Sequence, residues 1–238
     1  MKVYNILIII IILSIVILHQ ISYNRPFPET RVINLDRSYD RLLATSLQLF
    51  INCVKFKRHS AVDGKKYEYS DSELKMFTGI LNDPKINEKK KRNVMACALS
   101  HIQVWNNNVN NGPLLIFEDD IIIYPGIKGN VNTTISIVNN LDPDWHLIWV
   151  SGEDPGNKEI VATFGSHNIY RMNPPEYIGQ GTVGYILSER GLKYFLNKIN
   201  TNGCPGAIDY VMIKNLDINH SYGMYKSLVG SGLFKSTI

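Results

Sequence analysis

Cysteine is scarce in this chain, with only Cys53, Cys97 and Cys204 among 238 residues. An odd, sparse set excludes a disulfide framework and leaves room for one bridge at most. No Cys-x-x-Cys pair and no Cys/His zinc spacing occurs, and the six histidines are scattered. Internal repeats are missing. Basic residues are not interleaved with aromatics and no nucleic-acid module is present, which argues against nucleic acid as a partner. Net charge is only +4, and much of the surplus sits in one run, Lys89-Lys90-Lys91-Arg92. That run reads most simply as a solvated loop or helix start. It also suits an anionic substrate or a membrane surface.

Long apolar runs are equally rare. Ile6–Leu18 is almost wholly aliphatic, with Ser14 as its polar residue. Thirteen residues fall short of the roughly 20 that a membrane span needs. Extension to Val3 and Ile21 supplies the length but admits Asn5, His19 and Gln20. The following "HQISYNRPFP" offers no small-residue cleavage site. The expectation is an uncleaved signal-anchor over residues 1–21, attaching the protein to the membrane by a single N-terminal pass. Flanking charges do not set its orientation. A linker with two prolines covers 22–30, and residues 31–238 suffice for one domain with a sizeable core.

Strand and helix patterns alternate after the linker. "RVINL" reads as a strand, Asp40–Phe50 as a helix, and Val54–Phe56 as a second strand. Ser70 or Asp71 caps a short helix through Phe77. Asn93 is placed to cap a helix over Val94–Asn107, and Leu114–Phe117 is a strand. Thr133–Leu141 reads as helix, His146–Val150 as strand, and "TVGYILS" as a strand whose Ser188 caps Glu189–Lys198. Residues 151–177 show no clear period. The alternation predicts an α/β sandwich around a mostly parallel sheet.

One stretch breaks the apolar pattern. "LLIFEDDIIIYP", Leu114–Pro125, sets Glu118, Asp119 and Asp120 between two apolar runs. Buried carboxylates are costly unless compensated. In an extended segment Glu118 and Asp120 share a face. Two carboxylates there can hold Mg²⁺ or Mn²⁺, and beyond a strand end they face the region where α/β sheets bind ligands. A solvated turn, or a basic partner from elsewhere in the fold, solves the same problem. In "VINLDRSYDR", Asn34, Asp36, Arg37 and Arg41 fall at another strand end and helix start. These arginines can pair with phosphates or with a carboxylate. Equally, Asp36 and Asp40 can cap the helix with the arginines exposed.

Taken in order, these segments resemble glycosyltransferase family 25, which includes lipooligosaccharide and procollagen galactosyltransferases. The likeness runs through "VINLDRSYDR", "SAVDG", "ACALSHIQVW", "LLIFEDDIII", "LDPDWHLIWV", "GTVGYILSERGLKYFL", "AIDYVM" and the terminal "LFKSTI". Ala96, Leu192 and Thr237 depart from the family pattern. The resemblance implies a GT-A-like fold, a UDP-sugar donor, a divalent metal (Mn²⁺ or Mg²⁺) and inversion at the sugar. It implies transfer of a hexose, galactose first, to a hydroxyl of a glycan or a hydroxylated protein, and a place in lipopolysaccharide biosynthesis; with the N-terminal anchor, the catalytic domain is expected to be lumenal.

Residue by residue, the expectations are these. Glu118 and Asp120 hold the metal, with Asp119 beside them in the catalytic group. Asn34, Asp36, Arg37 and Arg41 position the nucleotide, aided by Asp63, Ser100 and His101. Asp209 is the base that takes the acceptor proton. Gly181 and Thr182 line the sugar site, and Tyr185 packs in the core. Two other classes compete. One is a catalytically inactive glycan- or partner-binding protein of the same fold. The other is a metal-dependent phosphoester hydrolase, which wants more ligands than the sequence offers.

Overall fold

The computed structural model describes residues 11–14, 16–17, 20–23, 26–152, 156, 158–173 and 181–232. Ten strands and seven helices are used below. The strands are β1 (Glu29–Asn34), β2 (Lys57–Ser60), β3 (Leu114–Glu118), β4 (Ile121–Ile123) and β5 (Leu147–Trp149). They continue with β6 (Ile160–Phe164), β7 (His167–Arg171), β8 (Gly184–Leu187), β9 (Ser221–Tyr225) and β10 (Val229–Ser231). The helices are α1 (Tyr39–Ile51), α2 (Asp71–Met76), α3 (Thr78–Leu81), α4 (Glu88–Asn107), α5 (Ile127–Leu141), α6 (Glu189–Asn202) and α7 (Ile208–Lys214).

Eight strands form one sheet in the order β2-β1-β3-β8-β5-β9-β7-β6, and β4 pairs with β10 in a small second sheet. The sheet is mixed, which corrects the expected mostly parallel arrangement. β1 pairs in parallel with β2 and β3, and β5 with β9. The contacts β3–β8, β5–β8, β7–β9 and β6–β7 are antiparallel. Parallel neighbours need a crossover of a dozen or more residues, usually a helix. β8 enters reversed between β3 and β5. β6 and β7 form a hairpin across Gly165, at φ +54°. Both strands fall in the stretch without clear period, because neither face of β6 is fully buried.

Side-chain alternation divides the core in two. Ile33, Leu114, Ile116, Leu147, Trp149, Tyr185 and Leu187 face one side, against residues of α4, α6 and α7. Val32, Leu115, Phe117, Ile148 and Ile186 face the other, with Leu49 of α1 and Val131 and Val138 of α5. Both faces are covered, so the central strands are apolar throughout. Ser70, one of the two expected caps, caps the short helix, and Glu73 completes a capping box with it. α4 begins earlier than expected, capped by Asn87 onto the Lys90 N–H. The basic run is therefore helical and partly structural. Arg92 donates to the carbonyls of Gly64 (2.7 Å) and Tyr67 (2.6 Å), and Lys91 to that of Leu81 (2.7 Å).

The expected membrane anchor is also corrected. Among the described residues no helix is long and apolar enough to cross a membrane. The apolar run is too short and is bounded by polar residues. Residues 1–10 of that segment lie outside the described residues, as does the terminal "LFKSTI" from Leu233 onward. β1 starts at Glu29, inside the stretch read as linker.

Candidate active site

β1, β2 and β3 run in parallel, so Asn34, Ser60 and Glu118 end on one edge of the sheet. β8 is reversed and begins at Gly184 opposite Phe117, which brings Thr182 to the same edge. A Cβ at Gly184 would lie 2.6 Å from Val229 Cγ2 and 3.1 Å from Phe117, so glycine permits this approach.

The acidic triplet lies where β3 ends. Strand geometry stops at Glu118, and Asp119 and Asp120 form the turn into β4, so alternation does not extend to Asp120. Arg41 of α1 is the basic partner. Its guanidinium meets Asp119 Oδ1 at 3.2 Å and Asp120 Oδ2 at 2.7 Å, and all three side chains are largely buried. Asn34 donates to Asp119 Oδ2 at 2.6 Å and to the Ser38 carbonyl at 2.9 Å, and accepts from Arg58 Nε at 2.9 Å. Thr45 donates to the Asp119 carbonyl at 2.8 Å. Both Asp119 oxygens and all of Asn34's amide are thus engaged by the protein itself.

Glu118 points elsewhere. It accepts a hydrogen bond from Thr182 Oγ1, and its Oε1 stands 3.6 Å from His101 Nε2. His101 Nδ1 meets the Tyr185 hydroxyl at 2.7 Å, and Trp105 Nε1 donates to that hydroxyl at 2.9 Å. Tyr185 is in the core as expected, but it also holds a ring of the site. Cys97 completes the group, which sequence reading did not assign. Its signal was available, since Cys97 and His101 are four residues apart and share a helix face.

Electrostatics separate the three acids. Burial opposes ionisation of Glu118, but His101, Thr182 and Arg41 outweigh it and hold its carboxyl below the usual range. Burial pushes the Asp119 carboxyl up against the pull of Asn34 and Arg41. Burial and then the Glu118 charge push that of Asp120 up. Burial, then Glu118, pushes the Cys97 thiol well up.

Two clefts meet here. One is lined by Arg37, Arg41, Val62, Ser100, His101 and Glu118, among others. The second is lined by Val94, Cys97, Glu118, Thr182 and Asp209, among others. Cys97 and Glu118 line both. Asp209 sits in the first turn of α7, its Oδ1 accepting from the Tyr210 N–H at 2.8 Å. The structure thus gathers Arg37, Arg41, Ser100, His101, Glu118 and Asp119 around one cleft and Asp209 beside the other.

Asp36 and Asp63 are at the rim. Asp36 is bound by Arg58 and by Ser60 Oγ at 2.8 Å, which with Asn34 makes Arg58 a tie missed in the sequence. Asp63 pairs with Arg37 and accepts from the Lys65 N–H at 3.0 Å. Ser100 is buried, accepts from the Val62 N–H at 2.9 Å and donates to the Ala96 carbonyl at 2.7 Å, so it holds the cleft wall.

A hard divalent cation is the expectation here, and one oxygen of the triplet is open to it. Asp120 Oδ1 is buried and meets no hydrogen-bond donor among the described residues. Glu118 favours its ionised form. A buried oxygen without a partner is costly unless something binds it.

The fold and these clefts define an α/β protein with acidic residues lining two clefts at one end of the sheet. The model of glycosyltransferase family 25, described as "LPS biosynthesis protein", matches residues 27–212, and the chain belongs to this family. Procollagen galactosyltransferase 1 of Danio rerio is 29% identical over 178 residues, covering 71% of this chain and 28% of that protein. Procollagen galactosyltransferase 2 of Homo sapiens is 26% identical over 170 residues, covering 69% of this chain and 26% of that protein. "Probable inactive glycosyltransferase 25 family member 3" of Bos taurus is 24% identical over 177 residues, covering 71% and 29%. The chain therefore spans under a third of the length of these three relatives.

Proposed function

We propose that this chain is a hexosyltransferase, moving galactose from a UDP-sugar to a hydroxyl of a glycan or protein acceptor with inversion. The observation that carries the reading is the pair of clefts sharing Glu118 as a wall, one with arginines and the other with Asp209. The relatives' names support galactose.

The nucleotide diphosphate lies in the arginine-lined cleft, where Arg37 and Arg41 supply positive charge and the Val62–Gly64 segment supplies backbone. Glu118 and Asp120 would hold Mn²⁺ or Mg²⁺, which would supply positive charge to the diphosphate leaving group. Asp119 acts as a positioning residue, since both its oxygens orient other side chains. The acceptor enters the second cleft, where Asp209 takes the proton from its hydroxyl as the sugar bond forms on the opposite face. Thr182 orients Glu118.

A second reading draws on Arg41. Because it already compensates Asp119 and Asp120, a protein that binds a glycan or partner without catalysis could keep this site without a cation. UDP release separates the two. The full chain is given UDP-galactose, UDP-glucose or UDP-N-acetylglucosamine, with and without Mn²⁺. Release from one donor that needs Mn²⁺ and disappears in Asp120→Ala is the expected result. Absence of both release and Mn²⁺-dependent UDP binding would sink the transferase reading.

A further inference from the structure

We propose that Cys97, His101 and Glu118 form a zinc site with one open position, built into the wall the two clefts share. The donor atoms of these three side chains lie within 4.8 Å of one another. Cys97 and His101 stand four residues apart on α4, and Glu118 arrives from the end of β3. His101 is 1% exposed, and its Nε2 has no hydrogen-bond partner among the described residues. The 3.6 Å from that nitrogen to Glu118 Oε1 is too long for a hydrogen bond. Ligands at tetrahedral Zn²⁺ distances stand roughly 3.5 Å apart, which this spacing matches.

The surroundings suit a ligating imidazole. When Nδ1 carries the ring proton and donates to the Tyr185 hydroxyl, Nε2 presents its lone pair to the ion. Tyr185 is fixed in turn by Trp105. Ligating histidines ordinarily have their other nitrogen anchored in this way. Binding breaks the Cys97 S–H bond, releases that proton to solvent and forms a Zn–thiolate bond. Three protein ligands leave the fourth position open, and two of the three line both clefts.

The ligand set selects the ion. Thiolate and imidazole favour zinc over Mn²⁺, which prefers oxygen donors and lies lowest in the affinity order of these metals. Glu118 belongs to both sets, so zinc here withdraws it from the hard-cation site and inhibits transfer. That consequence rests on the proposed transferase reading; the zinc site itself does not.

Cobalt is the probe. Chelator-stripped full chain is titrated with Co²⁺ and watched for thiolate-to-cobalt charge-transfer absorption in the near ultraviolet. The expected result is a one-to-one band that stoichiometric Zn²⁺ abolishes and excess Mn²⁺ does not. Cys97→Ser and Cys97→Ala should lose the band and bind zinc at least about tenfold more weakly. Cys53→Ser and Cys204→Ser should keep it. No band in the unmodified chain, or one that survives both Cys97 substitutions, overturns the proposal. If the band is absent while Mn²⁺-dependent UDP binding persists, the zinc site fails alone. If the band is present without UDP binding, the transferase reading fails alone.

Discussion

Arg41 meets two buried carboxylates at once, and its removal strands both. Loss of one partner from a buried ion pair costs about 3–5 kcal/mol. Arg41→Met should therefore lower stability by about that much in urea unfolding, although methionine fills the same apolar space. A loss below about 1 kcal/mol would mean that the triplet is solvated after all. Asp120 behaves oppositely. Burial and the nearby Glu118 charge hold its carboxyl above the usual range, and one oxygen lacks a donor. Without a cation, that charge is a liability which an amide relieves. Asp120→Asn should stabilise the chelated protein by about 1 kcal/mol, or roughly 2–4 °C in melting temperature. It should also abolish the rise that Mn²⁺ gives the unmodified chain. Equal Mn²⁺ responses in both proteins would remove Asp120 from the cation site.

At the scale of elements, α4 does most of the positioning. Arg92 grips the carbonyls of Gly64 and Tyr67, and Ser100 receives the Val62 N–H. The cleft wall over residues 61–64 is thus hung on one helix. Ser100→Ala strands a backbone donor, at about 1–3 kcal/mol. It should weaken UDP-sugar binding, seen as a raised KM, with a smaller effect on kcat. A kcat fall with unchanged KM would show that Ser100 acts on the reaction instead. Much of this was legible in the sequence. The helical period of Met95, Ala98, Leu99, Ile102 and Trp105, and the cap at Ser70, report local physics. The first six residues of α4, 88–93, were not legible, because Lys91 and Arg92 bond to carbonyls that are distant in sequence. Nor was the reversal of β8, since strand direction depends on which edge the connection enters. The acids stood out in the sequence, but Arg41 as their partner depended on where α1 packs.

The whole molecule keeps its two edges separate. The clefts open where β1, β2 and β3 end, while His146 lies at the other edge, just before β5. There its N–H donates to the His220 carbonyl at 2.7 Å and its ring stacks on Tyr194 at 4.4 Å. Burial, and then the His220 charge, lower its pKa. The unfolded chain thus takes up this proton at higher pH than the folded one. The cost is absent above the unfolded value of about 6.5 and accumulates as pH falls from there toward the lower folded value. His146→Phe keeps the stacking and removes the titration. Its urea midpoint should fall less than that of the unmodified chain between about pH 7.5 and about pH 5.5; parallel declines would refute this assignment. The cleft edge calls for a different test, because there binding and reaction must come apart. Asp209 lines only the acceptor-side cleft, whereas Glu118 lines both. Asp209→Asn should keep Mn²⁺-dependent UDP affinity, measured by calorimetry, and lose about 10²–10⁴-fold in transfer rate. Glu118→Gln should lose both. If Asp209→Asn weakens UDP binding as much as Glu118→Gln does, the two clefts act as one, and the base must be sought elsewhere.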